Sequence, residues 1–143
     1  MAYTSQAAVE RLVPMLGSFS TTSRVTSTAL AGFIADVEAE IDVTLASIGY
    51  PAPYTDAGAF LTWLGKLATD GVAARAYKAW FMDTSGVDSQ NQGRDLLKSY
   101  LDGLAGIRNR TMVPASIGEA TASLPGGLTV TDAPVTLTMD QSF

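Results

Sequence analysis

The residues best suited to do chemistry are four acids at alternate positions, Asp36, Glu38, Glu40 and Asp42. Carboxylates serve as acids and bases in hydrolases and as ligands of hard cations. A small acidic enzyme or a cation-binding regulator that uses this cluster is therefore one alternative for the function. The chain has no His and no Cys, which excludes a histidine base, a thiolate nucleophile, a disulfide and the usual zinc or iron sites.

No GxxxxGK[ST] phosphate-binding loop occurs in the sequence, so no nucleotide site of that type is indicated. The four acids flank or oppose the apolar stripe of the helix that carries them, and a solvated helix face is the favoured interpretation. We therefore expect no enzymatic activity, no metal and no cofactor.

Like charges four residues apart, such as Asp36 and Glu40, repel one another slightly on an isolated helix. A Lys or Arg of a neighbouring subunit would relieve that repulsion. Arg108 and Arg110 lie near the end of the last helix, where cations complement the helix dipole and where a contact with DNA phosphate is an alternative. We predict inter-subunit charge contacts for these four residues.

The element that organises the chain is residues 56–82, whose apolar side chains occupy two sides of one helix. A surface helix needs a single apolar stripe of about 100°, so this helix is predicted to lie at the centre of a small bundle, with Asp56 as its N-cap. Its aromatic residues are predicted to pack in the core and not to stack on bases. The side chains predicted to face water are Thr62, Lys66, Thr69, Asp70 and Lys78.

Two long helices and one short helix are predicted around it. One runs from about Ser27 to Ile48, with Gly49 in position for a left-handed C-cap. The last opens at Ser89 or Asn91, and a short helix capped by Thr4 or Ser5 ends at Pro14. The apolar stripe of the last helix consists of Leu96, Leu97, Tyr100, Leu101, Leu104 and Ile107.

The sequence changes character after residue 110. Residues 111–143 contain three acids and no base, and apolar residues alternate there with Thr, a pattern typical of strands. A lone hairpin is marginal in water, so this segment is predicted to be an arm that pairs with another chain, the alternative being a loose terminus. The predicted partner-binding residues are Leu128, Val130, Val135, Leu137, Met139 and Phe143.

The fold class is thus predicted as all-α: a small antiparallel bundle of one short and three long helices (1–110), followed by an extended, partly β-strand C-terminal arm (111–143). The net charge is −5, and no basic patch that would grip nucleic acid is visible. No apolar run is long enough to span a membrane, and no signal peptide is indicated at the N-terminus.

These residues resemble a known family. The opening MAYTSQAAVERL, the acidic helix ending EIDVTLASIGYPAP, the apolar LTWLGKLATDGVAARAYKAW and the final GRDLLKSYLDGLAGI are similar in pattern and order to the head–tail connector adaptors (head-completion proteins) of long-tailed bacteriophages. The resemblance covers about residues 1–110. The loop at 14–26 and the length of the arm depart from it.

The resemblance implies a structural virion protein in the neck, assembled in the host cytoplasm. It implies a twelve-fold ring that joins the portal protein to the next neck or tail-completion protein, with DNA passing through the channel without specific binding. An acidic ring would repel DNA phosphate, so the genome could slide through it. Another neck or tail structural protein, such as a tail terminator, is a further alternative, although tail terminators are usually α/β.

Overall fold

The computed structural model describes residues 2–81 and 87–114. Its elements in chain order are α1 (Gln6–Leu12), a 3₁₀ turn (Pro14–Leu16), α2 (Ser27–Ser47), α3 (Ala59–Phe81) and α4 (Val87–Arg108). The described residues form helices and no strand. The prediction of an all-α fold with one short and three long helices is therefore confirmed for that part of the chain.

The helix ends follow local rules of capping. The Ser5 hydroxyl accepts a hydrogen bond from the Ala8 N–H at the start of α1, and Thr26 caps α2 in the same way through the Ala29 N–H. Gly49, with φ of 85°, follows α2 in the left-handed conformation, and the Tyr50 N–H reaches back to the Leu45 carbonyl. The predicted glycine C-cap is therefore confirmed.

The predicted N-cap of α3 is wrong. The first helical hydrogen bond of α3 runs from the Thr62 N–H to the Gly58 carbonyl, so Gly58 takes the N-cap position and Asp56 precedes it. Glycine is an acceptable N-cap because its backbone adopts the required angles easily.

Helix α3 lies at the centre of the bundle, as its two apolar sides predicted. It packs against α1, α2 and α4, and buried residues occupy nearly every turn, including Phe60, Leu64, Val72 and Tyr77. A single-stripe helix would bury only one face. The same helix contains the clearest exception to the sequence analysis: Asp70, predicted to face water, is 6% exposed.

The packing of α3 against α4 depends on small residues. A Cβ atom at Gly71 would lie 2.8 Å from the ring of Tyr100, and one at Gly93 would lie 3.2 Å from Tyr77. Residues nearer the end of α3 thus contact residues nearer the start of α4, so the two helices are antiparallel. Helix α2 also runs against α3, because Glu40 meets Arg75 while Tyr50, just after α2, meets Phe60 near the start of α3. Helices α2 and α4 are therefore parallel to each other.

The apolar stripe of α4 is only partly covered. Tyr100, Leu104 and Ile107 are buried, but Leu97 is 43% exposed and Leu101 is 53% exposed. The prediction that all six stripe residues face the interior is therefore wrong for these two, because the bundle covers a narrower face of α4 than the stripe occupies. Within the described ranges, no helix is long and apolar enough to cross a bilayer.

Candidate functional site

The four acids of α2 divide into two pairs that face different neighbours. Asp36 and Glu40 are directed to Arg75 on α3, whereas Glu38 and Asp42 bind the N-terminal segment. The cause is helical geometry, since positions four apart share a face and positions two apart do not. The cluster that looks continuous in sequence is therefore two separate helix contacts.

Glu40 connects all three long helices. One of its carboxylate oxygens accepts a hydrogen bond from Arg75 Nη2, and the other accepts one of 2.7 Å from the Tyr100 hydroxyl on α4. Arg75 Nη1 also lies 3.5 Å from Asp36 Oδ2. Burial, and secondly the hydrogen bond to Glu40, raise the pKa of Tyr100 well above its usual range. The Tyr100 hydroxyl therefore keeps its proton, and its hydrogen bond to Glu40, at an alkaline pH at which an exposed tyrosine ionises.

Tyr3 forms the second contact. Its backbone N–H donates to Glu38 Oε1 and its hydroxyl donates to Asp42 Oδ1, both at 2.6 Å. The same hydroxyl accepts the Tyr54 N–H at 2.7 Å. Burial and the hydrogen bond to Asp42 raise the pKa of Tyr3. These bonds tie the chain start to α2 and to the loop between α2 and α3.

The acids therefore do not converge on a common point. Within residues 2–81 and 87–114, no group of three or more Asp or Glu side chains is placed to hold a metal ion. Their partners are an arginine, two tyrosines and backbone N–H groups of the same chain. This arrangement favours a role in helix packing over the alternative of a cation site.

Arg110 fastens the ends of the two parallel helices together. It follows α4 with φ of 58°, and its guanidinium donates a hydrogen bond of 2.9 Å to the Ile48 carbonyl at the end of α2. The N–H groups of Thr111 and Met112 both reach the Gly106 carbonyl, a left-handed helix cap. Arg108 is exposed in the last turn of α4. The predicted inter-subunit contacts of Asp36, Glu40, Arg108 and Arg110 remain a prediction.

The described start of the predicted arm belongs to the bundle surface. Residues 111–114 follow the cap of α4, and the Tyr50 hydroxyl donates to the Pro114 carbonyl at 3.2 Å. The last described residues thus lie beside the C-terminal ends of α2 and α4. The predicted partner-binding residues Leu128, Val130, Val135, Leu137, Met139 and Phe143 lie outside the described residues.

A cleft of about 270 Å³ lies between α3, α4 and the segment after α4. Its lining includes the buried residue Asp70, whose carboxylate accepts a hydrogen bond of 3.0 Å from the Ser99 hydroxyl. The other lining residues are Trp63, Lys66, Leu67, Asp102, Gly103 and Met112. The cleft thus combines acidic, basic and aromatic groups.

Arg75, Tyr100 and Asp70 were not among the site residues predicted from the sequence. A signal for Asp70 was present, because it lies three residues after Leu67 and four before Ala74, on the same helix face as both. Tyr100 lies within an apolar stripe, and a buried tyrosine hydroxyl usually has a hydrogen-bond partner. The residues that Asp70 and Tyr100 contact lie on other helices, so no pattern in the neighbouring sequence indicates them.

Comparison of the chain with protein-family models, with curated proteins and with solved structures found no match.

Proposed function

We propose that this protein is a structural component of a bacteriophage neck: a ring-forming adaptor that joins the portal to the next neck or tail ring around the DNA channel. The proposal starts from the sequence resemblance over residues 1–110. In this role the protein makes and breaks no covalent bonds. Its activity consists of binding copies of itself and neighbouring rings.

The observation that carries the proposal is the apolar stripe of α4. This stripe is wider than the face of α4 that the other helices cover. Leu97 and Leu101 lie one turn apart and are both about half exposed. Contiguous apolar patches of more than a few hundred Å² mark places where another molecule binds, and we infer that this pair is part of such a patch. A neighbouring subunit in a ring would cover this pair.

The helical character of the described residues favours an adaptor over a tail terminator, which is usually α/β. The division of the α2 acids between Arg75 and Tyr3 favours a structural role over a cation-dependent enzyme. The net charge of −5 suits a channel wall that must not hold DNA.

The direct test is electron-microscopic imaging and native mass measurement of the full chain, alone and mixed with a portal protein. We expect rings that stack coaxially on the portal. A protein that stays monomeric and unbound in the presence of portal rings would overturn the proposal.

The α4 surface can be tested in the same assay with Leu97→Ser and Leu101→Ser combined. We expect the folded variant to lose ring formation. The control is Met15→Ser, which changes an exposed apolar residue on the 3₁₀ turn and should leave rings intact. Normal rings from the α4 variant would place the subunit contact elsewhere.

The arm can be tested by truncation. Chains that end at Arg110 and at Pro114 should both retain their helices and fail to complete the neck. The longer chain keeps the cap of α4 and the Tyr50 contact, so it is the better measure of the arm itself. Normal tail attachment with the chain that ends at Pro114 would contradict a role for the arm.

A further inference from the structure

The cleft between α3 and α4 has no part in the proposed ring contact. Lys66, Ser99 and Asp102 at its rim are exposed, so the cleft opens to solvent. Asp70 and Leu67 form its buried part. Its volume of about 270 Å³ is close to the lower end of the range for ligand sites, about 300 Å³. It suits a group the size of one side chain.

Asp70 is the unusual feature of the cleft. A carboxylate offers about four sites that accept hydrogen bonds, but the donor that reaches Asp70 within the described residues is the Ser99 hydroxyl. None of the ion pairs between described residues involves Asp70. The residue as a whole is 6% exposed, so its carboxylate loses part of its hydration at a cost in free energy, and the oxygen that Ser99 does not contact is open to the cleft. A cation with N–H donors would reduce that cost.

The rest of the lining indicates the kind of cation. Asp102 supplies a second carboxylate, and Lys66 is the basic residue of the lining, so the lining has an excess of negative charge. Trp63 also faces the cleft and stacks on Phe60, with ring centroids 5.8 Å apart. Two carboxylates beside an indole suit a planar cation with several donors, which can pair with carboxylates and stack on an aromatic ring.

We propose that this cleft binds a guanidinium group, with Asp70 and Asp102 accepting its N–H donors and Trp63 packing against its plane. The group belongs either to a small free molecule or to an arginine side chain of a second copy of this chain. Lys66 is a candidate internal competitor, because it is the basic residue among those that line the cleft. The inference goes beyond the adaptor function and does not require it.

The test is titration of the full chain with N-acetyl-arginine amide, followed by amide and indole NMR shifts. We expect saturable shifts at Trp63, Ser99 and Gly103. N-acetyl-citrulline amide, a neutral isostere, should bind at least about tenfold more weakly, the factor that corresponds to 1.4 kcal/mol. Equal binding of the two compounds, or no saturable shift at these residues, would overturn the proposal.

Variants localise the site. Asp102→Asn should weaken arginine-amide binding about tenfold or more, and Lys66→Met should strengthen it. The control is Asp95→Asn, which makes the same charge change at an exposed α4 residue outside the lining and should bind like the wild type. Asp102 is exposed, so the Asn variant tests the cleft even if Asp70→Asn proves unable to fold. Wild-type affinity in Asp102→Asn would contradict the assignment.

Sedimentation at high protein concentration distinguishes the two sources of the ligand. If the guanidinium comes from a second copy, the wild type self-associates, and Asp102→Asn and added arginine amide both reduce its mass. If the ligand is a small molecule, the mass is the same in all three samples. Failure of the ring proposal would leave the titration result unchanged, because the titration needs no assembly.

Discussion

The ring of Tyr100 lies directly on the backbone of α3 at Gly71, where a Cβ atom would come within 2.8 Å of two of its carbons. The hydroxyl of the same tyrosine donates to Glu40 on α2. One side chain on α4 therefore contacts both other long helices. The ring cannot retreat easily, since it is buried and held at its far end by that hydrogen bond.

Gly71→Ala should therefore destabilise the protein, by about 1 to 3 kcal/mol, the usual cost of overpacking a core. The matched control is Gly32→Ala on α2, where a new Cβ would have no neighbour within 4 Å. That change should stabilise the protein by up to about 1 kcal/mol, because Ala favours a helix more than Gly does. Urea denaturation of the two variants measures both effects, and equal effects would contradict the close packing at Gly71.

Stability should fall at alkaline pH. Burial raises the pKa of both Tyr3 and Tyr100 in the folded chain, whereas in the unfolded chain both groups titrate near their ordinary value of about 10. Their contribution to the free energy of unfolding is complete below about pH 10. It is lost above that pH, because the unfolded chain then releases protons that the folded chain retains.

Urea denaturation at a series of alkaline pH values measures this loss, and Tyr100→Phe should show a shallower fall than the wild type. Absorbance of tyrosinate gives an independent check. If every tyrosine of the folded protein ionised together near its ordinary pKa, the burial of these two hydroxyls would be contradicted.

Arg75 should contribute modestly to stability through its ion pairs with two acidic residues of α2. Arg75→Met leaves Asp36 and Glu40 to repel one another, and we expect a loss of about 0.5 to 1 kcal/mol, typical of partly exposed ion pairs. The loss should shrink in high salt, which screens exposed charges. Lys98→Met on α4 removes the same charge from an exposed position and should change stability less. Thermal melts at low and high salt compare the two variants.

At Arg110 the contributions of the backbone conformation and of the side chain to stability can be measured separately. Its φ of 58° lies in the left-handed region, which costs a residue with a Cβ roughly 1 to 2 kcal/mol and costs Gly very little. Arg110→Gly and Arg110→Ala both remove the hydrogen bond to the Ile48 carbonyl. Their difference therefore reports the backbone alone, and the Gly variant should be more stable by about 1 kcal/mol in urea denaturation. Equal stability would contradict the left-handed cap.

The sequence by itself determined the positions of the helices, their caps at Ser5 and Gly49, and the central place of α3. These features depend on periodicity and on residues within one or two turns, which are local properties of the chain. The tertiary structure decided which residues from different helices contact one another. Asp70 became buried because α4 lies over it, and Leu97 remained exposed because the neighbouring helices do not extend that far across α4. The division of the α2 acids between Arg75 and Tyr3 likewise depends on which helix lies on each side, and that is set by packing between segments far apart in the chain.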